Sequence, residues 1–444
     1  MKKTVLTIAI LALGTSLWAQ ENPARNASLE NGFVRIGEFQ STTRNNVGAA
    51  SFLFPSGDKL VTGLHSSISS EEFLSGLKPV NSLYSQINYN LVSYGWKDRI
   101  RGFHALEVGA RVNYGVSVPK EIFQLLKEGT TQSPFDLSSL RAFGNVYGEI
   151  AYCYALPLSE KFSIGARAKL LVGLNSVELS ARTLELSASE EQYTLNMDAD
   201  VDLTNRYKKI GTDKDGYLDY TSFSGKGKWG LPTGLGLALD LGFVWKPFRG
   251  FTLSASVQDL GGILWYYGNA GRASGSYNFD GLHDLSADQL NAASLLSELK
   301  QEGEALLRVI KPHPPVKPLD ELPGWVKAKA LPLSANLDMR YAMPFWEALS
   351  VGATGLYSGY SYCAPYWEAR GSLALDFPGR AQVELSAGDG THGFVYGVSG
   401  SVEFVSFRLY ARYENGIGGT IPYGNTPLQA NNKSLQIGLV YLIK

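Results

Sequence analysis

The sequence predicts an all-β fold, a transmembrane antiparallel β-barrel of about 14 to 16 strands with an N-terminal plug-like segment and a helical loop insertion. Three observations point there. The 444-residue chain opens with a secretory leader and afterwards has no apolar run long enough for a spanning helix. Strand-length segments repeat a period-two code, apolar on one parity and charged or polar on the other. Charged residues make up 18%, below the usual share of about 25%, while 24 Tyr, 20 Phe, 8 Trp and 48 Gly supply interfacial aromatics and room in curved strands.

Met1, Lys2 and Lys3, an apolar run over residues 5–13 and a small residue at Ala19 define a leader over residues 1–19. No cysteine follows the run, so no lipid anchor is expected, and the predicted address is the outer membrane. Of 40 Lys and Arg the leader removes two; the remaining 38 face 41 Asp and Glu, a net charge of −3. That excludes a nucleic-acid footprint and a polybasic membrane arm. Residues 20–82 are mixed in pattern and read as an N-terminal plug-like segment, with a first strand near residues 59–68. The barrel is predicted over 83–444.

Within it, Leu106, Val108, Ala110, Val112 and Tyr114 alternate with Glu107, Arg111 and Asn113. Phe162 to Val172 alternates about Arg167 and Lys169, and Tyr193 to Leu203 about Asp198, Asp200 and Asp202. Strands rich in Leu follow over 235–245 and 251–257, then Leu333 to Tyr341 about Asp338 and Arg340. The clearest hairpin is Trp367 to Ala387: Leu373, Leu375, Val383 and Leu385 on one face, Glu368, Arg370 and Glu384 on the other. Parity flips between Phe404 and Phe407, which predicts a two-residue turn at Val405 and Ser406. Leu435 to Ile443 closes the wall. A soluble sandwich or propeller needs a polar outer face; the apolar parity here would aggregate in water.

Two stretches break the code. Pro119 to Lys127, before Gly129, reads as a short amphipathic helix. Residues 281–330 read as an insertion: a helix over 285–310, opened by Ser286 and Gln289 as a capping box, then a proline-rich break over 311–318. It is a candidate lid or gate.

Asn22, Pro23 and Ala24 after the leader, the strand end from Leu91 to Trp96 leading to Arg111, the segment Ser117, Val118, Pro119 to Gly129, and Ala330, Leu331 and Pro332 after the insertion together carry a resemblance. Through them the chain resembles a family of outer-membrane barrels filed as a domain of unknown function, similar in plan to FadL-like long-chain fatty-acid transporters. The resemblance covers nearly the whole mature chain. It implies the location, the barrel type and an N-terminal segment acting as a plug, with 14 strands in the FadL-like relatives; it implies no settled activity.

The inward parity supplies the candidate lumen-lining residues: Arg111, Arg167, Lys169, Asp198, Asp200, Asp202, Asp338, Arg340, Glu368, Arg370, Arg408 and Arg412. Asp198, Asp200 and Asp202 stack along one wall, where they either bias a pore toward cations or, as the plainer reading, join Arg167, Lys169 and Arg182 in an ion-pair network. A lumen this polar is no greasy tunnel, so a hydrophobic ligand is expected at a mouth or under a lid. Asp213, Asp215, Gly216 and Asp219 suggest a calcium loop, but Gly211 and Ser222 fall where two key ligands belong, and a surface turn is the better reading. Gly234 and Gly236 open a strand, not a helix, and bind no nucleotide. His65, His104, His283, His313 and His392 have neither nucleophile partners nor metal-ligand spacing, so no catalysis, metal or cofactor is expected. Cys153 and Cys363 allow one bridge, though Cys153, between Tyr152 and Tyr154, reads as an inert wall residue. The expected function is passive uptake or efflux of a small or hydrophobic molecule, with membrane lipid and a small hydrophobic ligand as partners and no protein partner identified. The alternative is a non-transporting structural or docking barrel.

Overall fold

The computed structural model describes residues 22–48, 51–57, 59–131, 133–189, 192–204, 209–212, 214, 218–224, 232–266, 269–280, 300–306, 309, 313–318, 327–359, 365–377, 379–417, 421–423, 426–428 and 433–443. The leader, Cys363, Asp213, Asp215, Gly216 and most of the 281–330 insertion lie outside the described residues.

Fourteen strands close into an antiparallel barrel. In chain order they are β1 (Gly32–Asn45), β2 (Val80–Lys97), β3 (Phe103–Pro119), β4 (Arg141–Pro157), β5 (Phe162–Ala188), β6 (Gly234–Trp245), β7 (Phe251–Trp265), β8 (Leu333–Met343), β9 (Trp346–Gly359), β10 (Tyr366–Phe377), β11 (Ala381–Gly390), β12 (Phe394–Phe404), β13 (Phe407–Ile417) and β14 (Lys433–Ile443). Each pairs with the next, and β14 returns to β1 with Ile443 opposite Gly32. Closure leaves no sheet edge, which the hydrocarbon region demands.

The wall inverts the usual distribution of residues. Leu373, Val383, Leu385 and Leu439 are exposed, whereas Glu368, Glu384, Arg408 and Gln436 are buried. That pattern is stable only if lipid meets the outer face. Aromatic side chains ring both ends of it, Trp245, Phe377, Phe404, Phe407 and Tyr441 at one and Tyr114, Tyr357, Trp367, Phe394 and Tyr413 at the other. In β10, Trp367 and Phe377 are ten residues apart, about 34 Å along the strand and on the order of 25 Å along a barrel axis tilted by about 40°.

Short turns gather at one end, including the two-residue connection of Val405 and Ser406, where Phe404 pairs with Phe407 and Val405 takes φ 57°. The long connections gather at the other. The helix over Lys120–Glu128 (α2) lies there with Gly129 as its stop at φ 70°, beside the helix Ser70–Ser75 (α1) and a hairpin of Leu53–Ser56 with Lys59–Thr62. Phe73, Leu74, Ile68 and Leu77 bury against Phe52, Phe54 and Phe123 to form a small satellite core.

Two expectations need correction. Residues 20–82 do not form one plug: Pro23–Ser28 is a 3-10 helix inside the wall, Gly32–Asn45 is a wall strand, Val80 opens β2, and the described residues between Asn45 and Val80 belong to the long connection between β1 and β2. Tyr193–Thr204 is no wall strand. β5 runs for 27 residues, well over twice the roughly 9–11 that a membrane-spanning strand needs, and its overhang from Ser176 onward pairs with Tyr193–Thr204, which in turn pairs with Asn269–Phe279. Alternation cannot distinguish this two-faced projecting sheet from a wall.

Candidate functional site: a divided lumen

Two bulges set the chemistry of the lumen. In β7 the register slips opposite Asp240, and Asp259 sits at φ 60°. A left-handed backbone costs a non-glycine residue about 1 kcal/mol; Asp240 offsets it by accepting the Asp259 amide at 2.8 Å. The bulge aims the Asp259 carboxylate inward. Lys169 Nζ lies 2.7 Å from Asp240 Oδ1 and 2.7 Å from Asp259 Oδ1. Arg167 reaches Asp240 at 3.2 Å and Glu107 at 3.3 Å, while Arg111 joins Asp259 at 2.8 Å to Glu149 at 2.9 Å. In β1 a second slip, with Gly37 at φ 68°, turns Glu38 inward to Arg35 at 3.1 Å and Gln436 at 2.6 Å.

Across the lumen Arg44, Arg370 and Arg412 converge on Glu368 and Glu414. This network has one cation in excess of its carboxylates. The Asp240 network has one carboxylate in excess of its cations, so the two offset each other across a cavity of about 210 Å³ that both line. Charges buried this way are rigid, because leaving either partner alone costs several kcal/mol.

Below this cavity, toward the short turns, the 3-10 helix Pro23–Ser28 is fastened to the inner wall. Asn22 caps it, accepting the Ala24 amide at 3.0 Å and donating to the carbonyls of Phe243 and Ala255 at 3.1 Å each. Arg25 donates to Ser254 Oγ and Asp338 Oδ2, both at 2.7 Å, and Asn26 Nδ2 to Cys153 Sγ at 3.3 Å. The approach is so close that a Cβ on Gly165 would stand 2.4 Å from the Ala24 nitrogen, and one on Gly242 2.1 Å from Asn22 Oδ1. Ala27 and Leu29 pack on an apolar cluster of Phe33, Phe103, Cys153 and Tyr410.

A second cavity, of about 410 Å³, opens on the short-turn side. Arg25, Lys246 and Arg340 line it together with apolar Val244, Ala342, Met343 and Ala348. Arg25 bound to Asp338, and Arg340 bound to Glu384, stand between the two cavities. These contacts form a septum.

Of the residues singled out in the sequence, Arg111, Arg167, Lys169, Glu368, Arg370 and Arg412 face the upper cavity, and Asp338 and Arg340 the lower. Arg408 pairs with Glu403 at 2.7 Å. Asp198, Asp200 and Asp202 stand apart from them, on the projecting sheet, where Asp198 pairs with Arg272 at 2.6 Å, Asp200 with Arg182 at 2.5 Å, and Asp202 with Lys327. Each carboxylate has a cation partner, Lys327 being shared between Asp202 and Glu178. Lys329 ties the base of that sheet to the wall through Glu178 at 2.7 Å. In the insertion, residues 300–306 are helical and Glu302 accepts the Tyr277 hydroxyl at 2.6 Å; burial and this bond push the Tyr277 phenol up to about 12. Among the described residues no three His, Cys, Asp or Glu side chains are grouped to hold a metal. Arg25, Glu38, Arg44, Asp240 and Asp259 were not singled out, and Asn22 was singled out only for the family resemblance. The available signal was a single Asp in the even parity of a Leu strand at Asp240, and a Gly before an acid at Glu38.

No curated protein matches the chain. Among solved structures, a Pseudomonas aeruginosa FadL homologue is similar at a TM-score of 0.45 and 12% identity, over 96% of this chain and 92% of that one. The Pseudomonas putida toluene transporter TodX gives 0.43 at 9% identity over 98% and 97%, and the monoaromatic hydrocarbon channel CymD 0.42 at 9% over 96% and 92%. The profile of a family of unknown function, DUF5723, spans residues 26–412, and the chain belongs to that family.

Proposed function

We propose that the protein is a gated passive route across the outer membrane for a small or hydrophobic molecule. The observation that carries this reading is the pair of cavities on the two sides of a septum made of the 3-10 helix Pro23–Ser28 and the side-chain contacts Arg25–Asp338 and Arg340–Glu384. The lower cavity mixes apolar Val244, Ala342, Met343 and Ala348 with cations and with the carboxylates Glu160, Glu347 and Asp376, and its apolar share suits an amphipathic ligand better than the ionic chamber above it. Passage then requires the Arg25–Asp338 contact to open. Liposome swelling tests it: Arg25→Ala is expected to raise the permeation of small solutes several-fold over a nearly closed wild type. Equal, negligible swelling of wild type, Arg25→Ala and a variant lacking the insertion overturns the reading.

The projecting sheet of β5, Tyr193–Thr204 and Asn269–Phe279 favours a second reading, a docking barrel. It predicts no flux in any variant and partner binding lost on removal of that sheet.

A further inference from the structure

The turn between β2 and β3 has a chemistry that neither the lumen nor a hydrocarbon-facing wall requires. Its sequence places Lys97, Arg99 and Arg101 on alternate positions around Ile100, whose side chain is 81% exposed. The acid in the turn does not neutralise them. Asp98 Oδ1 accepts the amides of Ile100 at 2.8 Å and Gly102 at 2.7 Å, and its Oδ2 meets His104 Nε2 at 3.1 Å. Those bonds lock the turn, holding Arg101 at φ 77°. Among the described residues the three cations have no carboxylate partner.

Beside the turn, on the lipid face, stands an aromatic stack. Trp96 lies parallel to His104 with centroids 5.2 Å apart, Tyr94 lies 5.4 Å from Trp96, and His104 Nδ1 is 2.6 Å from the Tyr152 hydroxyl. Aromatic rings of this kind mark the edge of the hydrocarbon layer. The headgroup layer beyond it is only about 5–8 Å thick on each side, and Ile100 follows Trp96 by four residues of a folded-back turn. The three cations therefore sit at phosphate depth, with an apolar tip pointing into the same layer. The other short turns also expose apolar residues, Leu158, Phe248, Phe345 and Val405. Arg249 beside Phe248 is already paired with Glu347 at 2.5 Å, and Lys161 beside Leu158 donates to the Pro247 carbonyl at 3.1 Å.

We propose that the turn of Lys97, Arg99, Ile100 and Arg101, with the Trp96–His104 stack, is a binding site for the phosphodiester headgroup of an anionic phospholipid. Short turns of such barrels face the periplasm, so the lipid belongs to the inner leaflet of the outer membrane. The charge complementarity and the continuity with the lipid-facing wall select a lipid over a periplasmic protein. Each cation near an anionic surface contributes about fivefold in binding.

Native mass spectrometry of the full-length barrel in detergent, titrated with phosphatidylglycerol or phosphatidylcholine, tests the site. The wild type is expected to retain phosphatidylglycerol in preference, with that preference falling as salt is raised. Lys97→Gln/Arg99→Gln/Arg101→Gln should lower it about tenfold or more, the single Arg99→Gln and Arg101→Gln variants by less, and Lys59→Gln/Lys78→Gln/Lys120→Gln at the opposite end not at all. Folding of each variant is checked by its heat-modifiable gel shift. If the triple variant cannot be folded, loss of preference in the single variants and in high salt decides. Equal retention of both lipids by the wild type, or an unchanged preference in the variants, overturns the proposal, the latter outcome pointing to a protein partner for the turn. Displacement of the lipid by millimolar inorganic phosphate overturns it too, since the site would then read a free anion.

Discussion

Asp240 shows how a single residue organises the lumen. It takes the Asp259 amide, Lys169 and Arg167 at once, so its removal takes from two buried cations one of their two carboxylate partners, leaving Asp259 to Lys169 and Glu107 to Arg167, and releases the bulge. Asp240→Ala is expected to destabilise the folded barrel by about 1.5–3 kcal/mol through the lost charge-assisted hydrogen bonds, read as a lowered urea midpoint in detergent. Arg182→Ala, at an exposed pair with Asp200, should change it by about 0.5 kcal/mol or less. A pH effect belongs at His392, in the turn between β11 and β12 beside Tyr366. Burial, helped by the charge of Arg44, holds its pKa below the usual value. The neutral ring is favoured in the folded state, so the stability it supports is present above the unfolded pKa of about 6.5 and is lost as pH falls through that value toward the folded one. His392→Gln should flatten the fall in unfolding midpoint between pH 7 and 5; an identical slope in both proteins removes the assignment. At this scale the sequence was legible in part. Inward parity identified Arg111, Arg167, Lys169 and Arg370, and nearness along one strand pairs Arg370 with Glu368, but the partners of the other three were not legible, because such contacts, like that of Arg340 with Glu384, cross between strands far apart in the chain. Glu38 and Asp259 stayed hidden because bulges flip parity.

The elements divide the work between span and overhang. The half of β5 below Gly173 pairs with β6 inside the membrane, and the half beyond it supports the projecting sheet. Nothing in the alternation of Phe162 to Ala188 marks that boundary, which is why Asp198, Asp200 and Asp202 read as lumen residues although they lie outside the wall. The 3-10 helix was legible as a polar segment starting at Asn22 and Pro23; that it lies against Gly165 and Gly242 was not, since glycines in a strand have several uses. A substitution distinguishes them. Gly165→Val and Gly242→Val should expel the helix while keeping the wall, because the closest clashes fall on Ala24 and Asn22, the nearest neighbouring-strand atom being the Ala255 carbonyl at 3.2 Å from a Cβ on Gly242. Trypsin would then cut at Arg25, which the wild type shields. Protection of Arg25 in both variants would show that the helix tolerates the added bulk and does not depend on these glycines.

For the whole molecule the decisive quantity is the medium at the outer face, since every lumen contact presupposes a closed wall in lipid. The long strands and their code made closure legible, and the structure narrows the expected range to fourteen strands. Depth along β10 makes the claim quantitative. Leu373 is 56% exposed and lies between the girdle residues Trp367 and Phe377, so a cation there sits near the middle of the hydrocarbon. Leu373→Arg is expected to cost about 2–4 kcal/mol of folding free energy in liposomes, and Phe377→Arg, at the interface, about 0–1 kcal/mol beyond its lost apolar area. Refolding titrations of the two variants against Leu373→Ala and Phe377→Ala separate the charge from the packing. In a soluble sheet both arginines would be solvated and cost the same. A penalty independent of depth would therefore remove lipid from the outer face, leaving the buried ion pairs of the lumen without the boundary that forces them inward.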